Sequence, residues 1–392
     1  MRILLVSDRM SNPGGAERYI EFLRDGLRMR GDEAILISCG ARVGKPTGAD
    51  YEAFSSDSVP LKAFLQIANP AAASRIRSVV RSFRPDVALV SQFAYHLSPS
   101  AIGALGDVPT VLSMMDYKAI CPLGTRTLPN GSACVERAGV ACRRNECIGL
   151  LHWLRDQPRY SRIRSEMKRV RRVICPSEWM VREFSASGID AEQISFGVPA
   201  PSESFAYRPA QHPRFVYCGR LSPEKGVPLL LRAFSKFNGD VPHATLTLVG
   251  DGPMREEIER QILTLGLSRS VSITGWLSAA QVDVELSTAW AVVTPSLWAE
   301  PFGIAAIEAI MRGIPVVASD SGGFAENIEN DVTGLLFTPR DESSLVQALR
   351  RVAARAVFRA GRIEAGAVER SRARFSLDAH VERMRNVFLE MM

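Results

Sequence analysis

Two glutamates separated by seven residues frame the segment Glu300-Pro301-Phe302-Gly303-Ile304-Ala305-Ala306-Ile307-Glu308. The segment follows an apolar run, Ala291-Val292-Val293, and reads as a turn that opens a helix, with Pro301 and Gly303 suited to the turn and the first helical positions. A helix N-terminus presents backbone N–H groups and the positive end of a dipole, which suits a diphosphate. A carboxylate further along such a helix is a natural partner for the vicinal diol of a ribose, and Glu308 stands there. Two glutamates at this spacing are, alone, more often a solvated pair. Upstream, Arg220 and Lys225 lie in Cys218-Gly219-Arg220-Leu221-Ser222-Pro223-Glu224-Lys225-Gly226, just past another apolar run. A guanidinium can fork two phosphate oxygens and an ammonium adds a mobile point charge. Two glycine turns, Gly250-Asp251-Gly252-Pro253 and Gly322-Gly323-Phe324-Ala325-Glu326, would let backbone approach a ligand closely.

These residues need a scaffold, and the apolar periodicity supplies one. Ile3–Ser7, the turn Pro13-Gly14-Gly15, an amphipathic stretch Ala16–Arg30, the stop at Gly31 and Ala34–Ser38 make a strand-helix-strand unit. Val87–Val90, Thr110–Ser113 and Val173–Ser177 continue it. After Pro199–Pro213, which has the composition of a linker, the rhythm restarts with Phe215–Cys218, Thr245–Val249, Val271–Ile273, Ala291–Val293 and Pro315–Ala318. Runs that are apolar throughout suit parallel strands covered on both faces. The expected fold is therefore α/β, with two doubly wound halves. Residues 1–200 form the first domain and 201–374 the second, while the closing helix, about 375–392, could pack on either.

A chain of 392 residues, 46% hydrophobic and 23% charged, has material for two cores. The net charge of +6 admits phosphorylated substrates, an anionic membrane surface or nucleic acid. The basic residues lack the interleaved aromatics a single-strand binder needs, so nucleic acid is the least favoured partner. The N-terminal apolar run meets Asp8 too soon for a signal peptide, and no run is long enough to span a bilayer. The default location is cytoplasmic. The stretch Arg155–Arg172 reads either as a solvated helix face or as a dock for anionic lipid at the inner face of a membrane. Four of the seven cysteines, Cys121, Cys134, Cys142 and Cys147, fall in an irregular segment rich in Gly, Pro and Asn. The spacings lack a paired C-x-x-C, so no metal is assigned, although these four are the candidates for one.

Taken together, G-R-x4-K at Gly219–Lys225, G-D-G-P at Gly250–Pro253, E-P-F-G-x4-E at Glu300–Glu308 and G-G-x-x-E at Gly322–Glu326 resemble the C-terminal domain of the family 4 glycosyltransferases. Pro13–Glu17 and Asp116-Tyr117 followed by Cys121-Pro122 extend the resemblance to the first half. It implies the GT-B fold, two Rossmann-like domains facing a central cleft, with the closing helix crossing back to the first domain, a nucleotide-diphosphate sugar, UDP- or GDP-linked, as donor substrate and no required cofactor. It further implies that Arg220 and Lys225 bind the donor diphosphate, Glu308 the ribose and Glu300 the sugar hydroxyls. The backbone at Phe302, Gly303 and Ile304 would approach sugar and phosphate, beside the turns at Gly219 and Gly250. Trp276 and Leu277 would lie near the base. Gly14 and Gly15 would close on the phosphates from the first domain, with Asp116 at the catalytic centre. The reaction would retain anomeric configuration, and the acceptor would be a glycan, a lipid-linked glycan or a small molecule, as in surface polysaccharide or glycoconjugate synthesis.

One position departs from the pattern. Relatives carry His-Asp where this chain has Met115-Asp116, and a thioether neither donates a hydrogen bond nor takes a proton as imidazole does. Either another residue serves the sugar, or the donor lacks the hydroxyl that the histidine would meet, as a 6-deoxy sugar does. The rival readings are a sugar-nucleotide epimerase, a non-catalytic sugar-nucleotide-binding scaffold and a metal or redox protein built on the cysteines.

Overall fold

The computed structural model describes residues 1–9, 15–39, 48–56, 58–358 and 361–392. The chain divides into two compact units: Met1–Gly197 with Leu377–Met392, and Val198–Ser376.

The first unit holds a seven-stranded parallel sheet. Its strands are β1 (Arg2–Arg9), β2 (Glu33–Cys39), β3 (Tyr51–Ala53), β4 (Val87–Val90), β5 (Thr110–Ser113), β6 (Arg172–Cys175) and β7 (Glu192–Gln193). Their order is β3-β2-β1-β4-β5-β6-β7, and every pair is parallel. Ile3, Leu4, Leu5 and Val6 of β1 are all fully buried, as a central strand covered on both faces requires. The closing helix Leu377–Leu389 belongs to this unit. It lies against helix Gly15–Met29, where a Cβ on Gly26 would stand 2.6 Å from a Val381 methyl. Arg385 donates to Asp32, which also takes the chain's amino terminus at 3.0 Å.

The second unit holds β8 (Arg214–Cys218), β9 (Thr245–Val249), β10 (Val271–Gly275), β11 (Ala291–Thr294), β12 (Val316–Ser319) and β13 (Gly334–Phe337). The order is β10-β9-β8-β11-β12-β13, again all parallel. Alternate residues serve opposite cores. Phe215, Tyr217, Ala291 and Val293 enter one hydrophobic cluster, while Val216, Val292, Val316 and Ala318 enter the other. This period-two division explains runs that are apolar at every position.

Three strands do not stand out in the sequence. β3 and β7 have three and two residues at the sheet edges, too few to show a pattern. β13 begins with Gly334, whose Cβ would meet the Val316 carbonyl oxygen at 2.5 Å; the close strand packing there demands a residue that weakens the strand signal.

The segment 199–213, which reads as a linker, is packed instead on the second unit. Tyr207 donates its hydroxyl to the Ala289 and Gly361 carbonyls, at 2.8 and 2.7 Å. The N–H groups of Arg208 and Ala210 donate to Ser287 and Thr288. Proline-rich composition limits conformation, but the remaining donors still find partners.

Candidate active site

In the second sheet the chain runs outward through β8, β9 and β10, then returns to place β11 beside β8. Ligands of doubly wound sheets bind at such a switch point, beyond the carboxyl ends of the strands. The loops leaving β8 and β11 carry Gly219–Gly226 and Pro295–Gly303, so the topology brings both charged motifs to one crevice.

Glycines set how closely these loops approach. Gly250 has φ 138°, and a Cβ there would lie 1.9 Å from the Gly219 carbonyl oxygen. Gly219 itself donates its N–H to Val249, and Tyr217 donates its hydroxyl to the Arg220 carbonyl at 2.7 Å. Gly303 has φ 89° at the start of helix Ile304–Met311, and a Cβ would strike the Phe324 ring at 2.3 Å. The first hydrogen bonds back to the Gly303 carbonyl come from Ala306 and Ile307. The N–H groups of Ile304 and Ala305 therefore open the helix, where anions are favoured. Phe302 is 2% exposed, with its carbonyl accepting from Asn327, so its contribution to a ligand is backbone.

Lys225 Nζ lies 2.9 Å from each Glu300 carboxylate oxygen and 5.2 Å from the centroid of the Trp298 ring. Glu300 is buried, and its Oε2 also accepts from the Ser296 hydroxyl at 3.0 Å and the Trp298 indole N–H at 2.9 Å. This saturation answers the cost of burying a carboxylate. Arg220 is exposed at the end of β8. Glu308 is half-buried on its helix, near enough to Cys218 of β8 that burial first, and then this carboxylate, push the thiol up to about 12. Trp276 is 57% exposed just beyond the edge strand β10, and Leu277 packs on one of the two cores.

The first unit holds the other expected residues. Gly15 begins helix Gly15–Met29 after β1, and Gly14 lies outside the described residues. Asp116 follows β5. Desolvation pushes its carboxyl up, against hydrogen bonds from the Lys118 N–H at 2.7 Å and the Tyr95 hydroxyl at 2.9 Å. Tyr95 is held by Asp8, whose carboxylate accepts the N–H groups of Tyr95, His96 and Leu97. Met115 is buried, with the Ser113 hydroxyl 4.0 Å from its sulfur.

Ser296, Trp298 and Tyr95 are partners of candidate site residues that motif reading misses. Ser296 and Trp298 do carry a signal: they stand four and two residues before Glu300, near enough in sequence for their donors to reach its carboxylate. Tyr95 carries none, being brought to Asp116 by the first sheet alone.

Two family models match the chain. One, described as glycosyl transferases group 1, covers residues 203–366. The other, a glycosyl transferase 4-like domain, covers residues 14–196. The chain belongs to the group 1 glycosyltransferases. A curated relative of this glycosyltransferase is the glycogen synthase of Mycobacterium tuberculosis, 34% identical over 166 residues, which make up 42% of this chain and 38% of that one. The matches cover between 35% and 46% of the length of the first curated relatives. Among solved structures, sucrose-phosphate synthase from Thermosynechococcus elongatus superposes with a TM-score of 0.75 at 19% identity, covering 100% of this chain and 99% of that one. The Anabaena protein Alr3699/HepE in complex with UDP gives 0.71 at 20% identity, with both chains covered fully. The glycosyltransferase thus has the GT-B fold. No helix among its described residues is long and apolar enough to cross a membrane.

Proposed function

We propose that this chain transfers a sugar from a nucleotide-diphosphate donor, UDP- or GDP-linked, to a glycan or lipid-linked acceptor with retention of anomeric configuration. The observation that carries the reading is the meeting of Gly219–Lys225 and Glu300–Glu308 at the β8/β11 switch point. There Arg220, Lys225 and the helix opening at Ile304 offer positive charge to a diphosphate, and Glu308 offers a carboxylate to the ribose. Trp276 provides an exposed ring for the base. The Anabaena structure of the same fold contains UDP, which agrees with such a donor.

Catalysis on this reading is electrostatic. Charge developing on the leaving phosphate is met by donors already in place, and orientation of the acceptor supplies the rest. Glu300, held by Lys225, Ser296 and Trp298, accepts from a donor-sugar hydroxyl once Lys225 turns to the diphosphate. Met115 beside Asp116 suits a donor without a 6-hydroxyl, and faster transfer from a 6-hydroxylated donor would overturn that point. A lipid-linked acceptor would bring the chain to an anionic membrane surface. The basic stretch Arg155–Arg172 offers exposed cations such as Arg162 and Arg164, preceded by exposed Leu150, Leu151 and Leu154. Part of its charge is internal, however, because Arg159 is 2% exposed and donates to the Ala94 carbonyl.

Thermal-shift measurements with UDP, GDP, ADP and their sugar conjugates, on wild type and Glu308→Ala, test the reading. A ligand bound only by the native state raises apparent stability. A shift with one nucleotide series that weakens in the variant names the base. The absence of a shift with all of them, on folded protein, refutes the donor site. Binding without transfer in an acceptor screen would favour the scaffold alternative.

A further inference from the structure

The segment 121–147 sits outside the machinery described so far. Apart from the short helix Val140–Arg144 and one isolated bridge between Thr127 and Ala133, it is irregular. None of residues 127–147 is buried, and Val135 and Val140 are 79% and 71% exposed. A segment that buries so little apolar surface needs another source of order.

Four cysteines distant in sequence are gathered here around one cavity. Cys121, Cys134, Cys142 and Cys147 all line it, together with Ile120, Arg126 and others. Their positions are set by backbone. The Cys121 N–H donates to Tyr117, Cys134 to Arg126, Cys142 to Gly139 and Cys147 to the Cys142 carbonyl at 3.0 Å. The last bond folds Cys142–Cys147 into a knuckle, and its four intervening residues fall within the C-x2–4-C range of structural zinc sites. All four are free thiols. The thiols of Cys134 and Cys147 have only weak contacts, with the Glu136 and Asn145 carbonyls at 3.9 and 3.8 Å. The surroundings also suit an anionic centre. Between residues 118 and 147 stand Lys118, Arg126, Arg137, Arg143 and Arg144 against Glu136 and Glu146. A divalent cation held by four thiolates carries two negative charges, which this excess of cations balances.

We propose that Cys121, Cys134, Cys142 and Cys147 form a tetrathiolate site for a structural zinc ion that orders this segment. As the side chains stand, no group of three or more His, Cys, Asp or Glu among the described residues has metal-holding geometry, so the thiols close on the ion by side-chain rotation. A change of χ1 well moves a cysteine sulfur by on the order of 3 Å. Each thiol releases its proton to solvent on binding, and no oxidant is involved. The site is closed, with four protein ligands, and so has a structural and not a catalytic role.

The test is metal content by inductively coupled plasma mass spectrometry, on full-length protein purified without a metal-affinity step. One zinc per chain is expected, released by a mercurial thiol reagent. Chelator-stripped protein should take up one equivalent of added Zn2+. Cys142→Ser and Cys147→Ser should lose the metal, Cys175→Ala should keep it, and Cys142→His, which restores a ligand, should retain it even if the serine variants fold poorly. Protein that takes up no zinc while all seven thiols react under denaturing conditions overturns the proposal. So does a metal-free chain with fewer than seven reactive thiols, which would mean disulfides. Neither result bears on nucleotide binding at the second unit.

Discussion

In the second unit, the candidate site is fixed by close contact of backbone on backbone. Gly250 lies against Gly219, and Gly322 lies against Glu300, where a Cβ would come within 1.9 and 2.4 Å of a carbonyl oxygen. In the first unit, the corresponding chemistry hangs on side chains, with Asp8 gripping the loop at Tyr95–Leu97 and Tyr95 reaching Asp116. Gly149, just past its cysteine segment, has open space around it. On the proposed reading, the difference fits a division of labour. A diphosphate and a ribose are the same in every donor of a class, so a rigid cradle serves them. An acceptor varies, and loops held by side chains can change without rebuilding the sheet.

The largest effect is expected where that cradle carries charge. Lys225→Ala should lower the transfer rate by roughly 10³-fold, or about 4 kcal/mol, as loss of one preorganised group facing developing charge does. Steady-state kinetics with far-UV circular dichroism would check it. A rate within tenfold of wild type would mean the Lys225–Glu300 pair is structural only. The glycine contrast comes next. Gly250→Ala combines an unfavourable φ with a clash against backbone and should cost about 3 kcal/mol or more. Gly149→Ala, with nothing within 4 Å, should stay within about 0.5 kcal/mol. Chemical denaturation of the two variants measures both, and equal losses would erase the distinction drawn here.

The same contrast explains what the sequence reveals. The strands β8, β9, β11 and β12 are legible because both faces of the sheet are buried, which leaves continuous apolar runs. The candidate site in the second unit is legible because glycine is needed where backbones touch, so the spacing of Gly219, Gly250 and Gly322 records geometry. β3 and β7 are too short to leave a pattern. The Asp8–Tyr95–Asp116 chain is invisible because its members lie far apart in sequence and meet only through the sheet. The segment 199–213 misleads, since composition reports flexibility while Tyr207 reports attachment.

The closing helix sharpens the comparison through pH. His380 is fully buried. Its Nδ1–H donates to the Ser195 carbonyl at 2.9 Å, so Nε2 accepts from the Tyr19 hydroxyl at 3.0 Å. Burial holds it down to about 3. A base whose folded value lies below its unfolded value near 6.5 is stabilising above the unfolded value. That contribution is lost as pH falls, because the unfolded chain binds the proton first. By pH 4.5 the loss is about 2–3 kcal/mol. Acid should therefore weaken the first unit, and His380→Gln should flatten the dependence between pH 6.5 and 4.5, as read from urea midpoints. An unchanged slope in the variant would show that other groups govern the acid response.

The smallest effect separates two ways of holding Glu300. In Trp298→Phe the ring that faces Lys225 is kept and only the N–H to Oε2 is lost, while the Ser296 hydroxyl and Lys225 still satisfy the carboxylate. One hydrogen bond to a charged group contributes about 1.5–3 kcal/mol; with two partners still on the carboxylate the loss should lie at the low end, roughly tenfold. How the loss divides is informative. If the indole holds Glu300 in place while Lys225 turns toward the diphosphate, the carboxylate loses its anchor during the reaction, and kcat falls with KM nearly unchanged. If Trp298 merely fills space, kcat is unaffected, and a change in melting temperature alone would limit its role to stability. A rise in KM alone would mean instead that the indole helps to form the ground-state donor site, extending the cradle of the second unit to a side chain.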